Sequence, residues 1–195
     1  MRSLDELLGE AKALIFDCDG TLVETPTLYA SAWQDAFDAA GHRMDPAWYH
    51  ARAGMSEDVL LDDYEAEFGV TLDRHLAVRE MRSAVLKRMH EVSEIERIGA
   101  IARRFHGALP MAVASGGPKQ VVLASLRQTG LLPLFDTVVT IDDVARPKPA
   151  PDLFLEAALR LKVDPANCLV FEDSPQGLQA AANAGMPVVD VNAPE

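Results

Sequence analysis

Asp17-Cys18-Asp19-Gly20-Thr21 sets two carboxylates two residues apart, beside a glycine. Two carboxylates held this close at the end of a buried strand are costly without a cation. Gly20 permits the sharp exit that keeps both near one point. Hard oxygen donors of this kind suit Mg²⁺, which often takes only one or two carboxylates plus phosphate and water. Phe171-Glu172-Asp173-Ser174 is a second acidic cluster that could bring further carboxylates to the same place. Ser115-Gly116-Gly117 offers a hydroxyl and free backbone N–H groups ahead of a helix, a natural phosphate cradle. In Arg146-Pro147-Lys148-Pro149-Ala150-Pro151-Asp152, two prolines bracket Lys148 and hold the backbone extended. A lysine placed this rigidly can neutralise phosphate charge in a transition state. Each cluster alone also has an ordinary reading: turn residues, a helix cap at Ser115, Asp173 or Ser174, an exposed loop lysine.

The elements that must position these groups read as alternating strands and helices. The apolar runs Ala11 to Asp17, Pro110 to Ala114, Thr137 to Ile141 and Cys168 to Phe171 each end at a polar cluster, and Pro187 to Val191 is a last run. Short apolar runs with polar C-terminal ends suit buried parallel strands. Between them, Lys119 to Thr129, Pro151 to Leu161 and Pro175 to Ala184 carry apolar residues at helical spacing. Gly130 is a candidate C-cap and Pro151 sits in a first turn. This alternation predicts an α/β fold, a Rossmann-like parallel-sheet core with helices on both faces. Ligands of such sheets bind beyond the carboxyl ends of the strands, where every cluster above falls.

The stretch from about Thr25 to His90 is different, helical in pattern with no clear strand. Tyr29, Trp33 and Phe37 fall at i, i+4 and i+8, the inner face of a helix rather than a cofactor box. Glu57 to Phe68 and Asp73 to Met89 also read as helices. A small all-helical cap inserted after the first strand is expected, giving a core of 1–24 with 93–195 and a cap of 25–92.

Composition narrows the partners. The 195 residues are 49% apolar and 25% charged, ordinary for a globular chain, with a formal net charge of −12. No basic patch suggests nucleic acid: Lys87-Arg88 and Arg103-Arg104 are short pairs on helical stretches. Cys18 and Cys168, each in an apolar stretch that resembles a buried strand, read as buried apolar residues, not a disulfide or a zinc site. Asp5, Glu6, Glu10 and Lys12 break any signal-peptide pattern, and no run of about 18 apolar residues predicts a membrane span. A cytoplasmic monomer, with no nucleic acid or membrane partner, is the default expectation. The five histidines match no metal-ligand spacing.

The order and spacing of the four clusters resemble the haloacid dehalogenase superfamily of phosphohydrolases, over essentially the whole chain. The helical insertion resembles the small cap of its β-phosphoglucomutase-like branch, and the later half resembles sugar-phosphate phosphatases of the fructose-1-phosphate type. The resemblance implies Asp17 as a nucleophile forming a phosphoaspartyl intermediate and Asp19 as the general acid and base. It implies Mg²⁺ held by Asp17, the Asp19 backbone carbonyl and Asp173, with Glu172 in support. Ser115, Gly116 and Lys148 would bind the substrate phosphate, and Thr21 would lie close by. The segment at Glu24-Thr25 and the one near Glu91 to Glu94 would be the two hinge strands of the cap. The dehalogenases lack the second aspartate, so Asp19 favours phosphoryl transfer. The expected activity is hydrolysis of a small sugar or polyol phosphate; alternatives are a phosphomutase and a non-catalytic phosphate-binding protein. Where the mutases carry a histidine, an arginine and a lysine in the cap, this chain aligns Tyr29, Glu57 and Met81. That substitution argues for hydrolysis and puts fructose-1-phosphate itself in doubt. Arg52 or Arg82 could compensate in part. Trp48 and Tyr49 could line the active-site entrance, and packing within the cap is the simpler expectation.

Overall fold

The computed structural model describes residues 3–193. In chain order it runs α1 (Leu4–Glu10), β1 (Ala13–Phe16), β2 (Val23–Glu24), α2 (Pro26–Ala39), α3 (Pro46–His50), α4 (Glu57–Phe68), α5 (Arg74–Lys87), β3 (Ser93–Glu94) and α6 (Glu96–Phe105). It continues through β4 (Met111–Ser115), α7 (Lys119–Gln128), β5 (Thr137–Thr140), α8 (Asp152–Leu161), β6 (Cys168–Glu172), α9 (Pro175–Asn183) and β7 (Val188–Asp190).

Five strands form a parallel sheet in the order β5-β4-β1-β6-β7. The register pairs Phe16 with Val113 on one side and with Phe171 on the other. Side chains alternate across a strand, and that period of two sorts the core into two faces. Leu14, Phe16, Met111, Val113, Leu169 and Phe171 pack on one face with α6, α7 and the helices before β3. Ala13, Ile15, Ala112, Ala114, Cys168 and Val170 pack on the other with α8 and α9. Helices therefore cover both faces, as the sequence pattern predicts. Phe16 and Phe171 stack at 4.8 Å between ring centroids, so truncating either to Ala would cost about 3–5 kcal/mol.

The helices α2 to α5 are inserted between β2 and β3, which pair antiparallel, Val23 with Glu94. The Tyr29, Trp33, Phe37 stripe is buried as expected, with Phe37 against Tyr64 at 4.2 Å. Met81 and Val85 on α5 are fully buried with it. Helix bounds match the sequence reading within two residues; α1, α3 and α6 were not anticipated. Among the described residues no helix is long and apolar enough to cross a membrane.

One expectation needs correction. Cys18 is buried, but it lies past the end of β1, in the turn. Its carbonyl there accepts from the backbone N–H groups of Thr21, Leu22 and Val23.

Candidate active site

The carboxyl ends of β1, β4 and β6 lie side by side, so Asp17, Ser115 and Glu172 converge by register alone. Asp17 follows β1, and its N–H donates to the Phe171 carbonyl at 2.9 Å, which extends the ladder one step. Gly20 then turns the chain with φ +87°. A Cβ there would collide with the Asp173 carboxylate, so close approach as well as backbone angle requires glycine.

Lys148 enters from the loop before α8. Its Nζ lies 2.6 Å from Asp17 Oδ1 and 2.7 Å from Glu172 Oε2, with all three side chains buried. The other oxygen of Glu172, Oε1, accepts from Asp173 N, Ser174 N and Ser174 Oγ at 3.1, 2.9 and 2.8 Å. Glu172 is thus enclosed by four donors. Burial would raise its pKa, but Lys148 and Ser174 outweigh burial and lower it. The Lys148 ammonium is held charged by Asp17 and Glu172 against the pull of burial.

Asp17 and Asp173 are pushed the other way. Burial raises Asp17 well above the usual carboxylate range, and repulsion from Glu172 adds to it. Burial and Glu172 likewise push Asp173 up to about 7, although Thr21 Oγ1 donates to its Oδ1 at 3.0 Å. Three carboxylates here share one ammonium. Asp17, Glu172 and Asp173 each offer an oxygen, all within 4.8 Å of one another. This cluster suits a cation: the negative charge is in excess, and hard oxygen donors match a hard divalent ion. Glu172 is already occupied, which leaves Asp17 and Asp173 as the carboxylates best able to serve.

Asp19 belongs to a separate network. Thr25 Oγ1 donates to its Oδ1 at 2.7 Å and Ser115 Oγ to its Oδ2 at 3.3 Å. Burial raises its pKa, and those two hydroxyls partly offset the rise. Ser115 Oγ also accepts from Gly117 N at 3.0 Å. Thr25 stands at the N-cap of α2 but makes no cap bond with its side chain, because its hydroxyl is spent on Asp19.

All the expected site residues, Asp17, Asp19, Ser115, Gly116, Lys148, Glu172 and Asp173, line one cavity of ≈ 70 Å³. Tyr29, Glu57 and Met81 line it from the helical side. Arg52 and Arg82, expected as partial replacements for the missing cap cations, do not. Arg52 is drawn onto Asp63, Glu67 and the Trp48 ring, and Arg82 onto Glu57. Trp48 packs against Tyr64 as expected, whereas Tyr49 lines the cavity. The sequence reading missed the roles of Thr25, Ser174 and Gly54. A Cβ on Gly54 would lie 2.8 Å from Ser174 Cβ, so this loop touches the strand side of the site. Only the unusual Thr-Pro start of α2, six residues after Asp19, hinted at Thr25.

A model of the haloacid dehalogenase-like hydrolases matches residues 11–185. The chain belongs to this family. It is 36% identical over 188 residues to the fructose-1-phosphate phosphatase YqaB of Escherichia coli, covering 91% of this chain and 95% of that protein. It is 32% identical over 184 residues to the 6-phosphogluconate phosphatase of the same organism, covering 93% and 82%. The crystal structure of a hydrolase from Pseudomonas syringae superposes with a TM-score of 0.83 at 26% identity, covering 92% of this chain and 84% of that one. This member of the family is an enzyme, a hydrolase whose named relatives are phosphatases.

Proposed function

We propose that the protein hydrolyses a small phosphate ester of a sugar or polyol, with Mg²⁺ as cofactor and Asp17 as nucleophile. The observation that carries this reading is the division of labour between two carboxylates. Asp17 is gripped by Lys148 at 2.6 Å beside the acidic cluster, while Asp19 is held apart by two hydroxyls.

An Asp17 oxygen attacks phosphorus as the ester P–O bond breaks, which forms an aspartyl phosphate. Asp19 donates its proton to the departing alcohol oxygen. It then takes a proton from the water that attacks phosphorus, and inorganic phosphate leaves. A carboxyl with a raised pKa is suited to hold that proton first. Ser115 Oγ, the Gly116 backbone and Lys148 receive the phosphoryl oxygens. Glu172 fixes Lys148 and supports the metal site. Asp17, Asp173 and the Asp19 backbone carbonyl would hold Mg²⁺, which when bound supplies positive charge against the phosphoryl oxygens.

We assign residues 25–92 to a helical cap and 1–24 with 93–195 to the core, with β2 and β3 as the stem between them. Cap closure would exclude bulk water while the phosphoryl group passes to Asp17, and would deliver specificity. Among the described residues the helical side of the cavity supplies no cation to hold a second phosphate, which favours hydrolysis over mutase action.

The test is release of inorganic phosphate from a panel of esters with Mg²⁺ and no bisphosphate primer. Asp17→Asn should lower turnover by a factor on the order of 10⁴ or more, because it removes the attacking carboxylate oxygen. Release that is unaffected by Asp17→Asn would refute the assignment.

A further inference from the structure

Tyr29 is 8% exposed, and its hydroxyl has no hydrogen-bond partner among the described residues. Native proteins leave few buried polar groups unpaired, so such a group calls for an explanation. This one lines the cavity that contains Asp17 and Asp19. Burial first, then the charge of Asp19, pushes the phenol well up, so it remains a neutral donor. Its neighbours on the cavity wall are Trp33, Tyr49, Met55 and Met81, with Glu57 the one charged group on that side. Arg82 binds both oxygens of Glu57, at 2.8 and 2.6 Å. Among the described lining residues Lys148 is the one cation, and it is already clamped by Asp17 and Glu172. The helical wall therefore offers the unpartnered Tyr29 hydroxyl, with the Tyr49 phenol beside it, on an aromatic and apolar surface, and no positive charge among the described lining residues.

We propose that Tyr29 donates to a hydroxyl of the leaving group, and that this wall selects esters whose leaving group is an uncharged polyol or sugar. The proposal rests on the phosphatase reading above. A second phosphate or a carboxylate on the leaving group would be enclosed by this wall with no free cation to receive it. An ammonium group would find the Glu57 carboxylate already taken by Arg82. A hydroxyl oxygen supplies what the orphaned phenol lacks. A buried donor built for a hydroxyl discriminates strongly against an analogue without one, because the donor is then left unpaired.

The experiment compares kcat/KM for wild type and Tyr29→Phe on five probes. These are a hexitol phosphate, phenyl phosphate, a hexose bisphosphate, a phosphorylated sugar acid and an amino-sugar phosphate. Phe keeps the ring and removes one oxygen, and a thermal melt of both proteins checks that the fold is retained. Wild type should prefer the hexitol phosphate over the three charged leaving groups by about tenfold or more. Tyr29→Phe should lose about tenfold more on the hexitol phosphate than on phenyl phosphate, which has no hydroxyl to read. Equal losses on those two esters would overturn the role of Tyr29. Equal use of a charged leaving group would overturn the selection. Either result leaves the phosphatase reading standing. No phosphate from any probe, phenyl phosphate included, would sink that reading and this inference with it.

Discussion

On the strand side of the cavity, the charged groups are tied into two networks. Lys148 bridges Asp17 and Glu172, Ser174 closes around Glu172, and Thr25 and Ser115 hold Asp19. On the helical side, aromatic and apolar side chains surround a phenol with no partner and a Glu57 bound by Arg82. The first wall is preorganised: its dipoles and charges are already in place, so little reorganisation is needed during reaction. The second wall leaves a polar atom for something else to satisfy. In the reading proposed above, the contrast separates a wall that performs a reaction from a wall that chooses what undergoes it.

Removing the cation from the strand wall should produce the largest effect. Lys148→Met would leave Asp17 and Glu172 as buried carboxylates without their ammonium. Activity should fall by a factor on the order of 10³, as for loss of a principal charge on a transition state. Stability should fall by about 3–5 kcal/mol, the usual cost of breaking a buried pair from one side, measured by urea unfolding. A variant with unchanged stability would show that the network is not preorganised by this lysine.

The seam between the walls comes next. Gly54→Ala adds a carbon 2.8 Å from Ser174 Cβ at a residue with φ +90°. The strain of the left-handed backbone alone is about 1–2 kcal/mol. Displacing the loop should lower kcat/KM by about tenfold, with a smaller change in thermal stability than Lys148→Met causes. An unchanged kcat/KM would mean that contact between the walls is not needed for turnover.

The smallest effect lies outside both walls, and so gives a baseline for ordinary surface electrostatics. Asp143, just after β5, accepts from Thr140 N and Oγ1 and from Arg160. Burial would raise its pKa, but these partners outweigh burial and lower it to about 2. A lowered folded pKa means stability that is present above the unfolded value of about 3.9 and is lost as pH falls through about 2. With solvent screening, wild type should lose about 1 kcal/mol or less relative to Asp143→Asn across that window, with no change in substrate preference. A parallel acid profile for the two proteins would show that Asp143 contributes nothing of this kind.

The strand wall was largely legible in the sequence. Asp17, Ser115 and Glu172 each end an apolar run, and parallel register carries them to one edge. Motif order also pointed to Lys148 and Asp173. The local pattern did not show that Glu172 is saturated by Lys148 and Ser174, because those donors arrive from loops whose paths it does not specify. It also did not show that Arg52 and Arg82 are drawn away from the cavity. Each has acidic partners nearby on α4, Asp63 and Glu67 for Arg52 and Glu57 for Arg82. Tyr49 packs in the apolar cluster that includes the inserted helices and also reaches the cavity, and a short helix fixes that direction only once α2 packs against it.

The sequence by itself determined which groups end the central strands, because backbone periodicity and strand register place Asp17, Ser115 and Glu172 at one edge. Tertiary structure alone decided which of those groups are already paired and which atom remains free. Pairing depends on side chains from distant segments meeting at hydrogen-bond distance, and no local pattern encodes that meeting. The Tyr29 hydroxyl is the clearest instance: its stripe predicts a buried helix face, but only packing shows that its oxygen has no partner among the described residues while it lines the cavity.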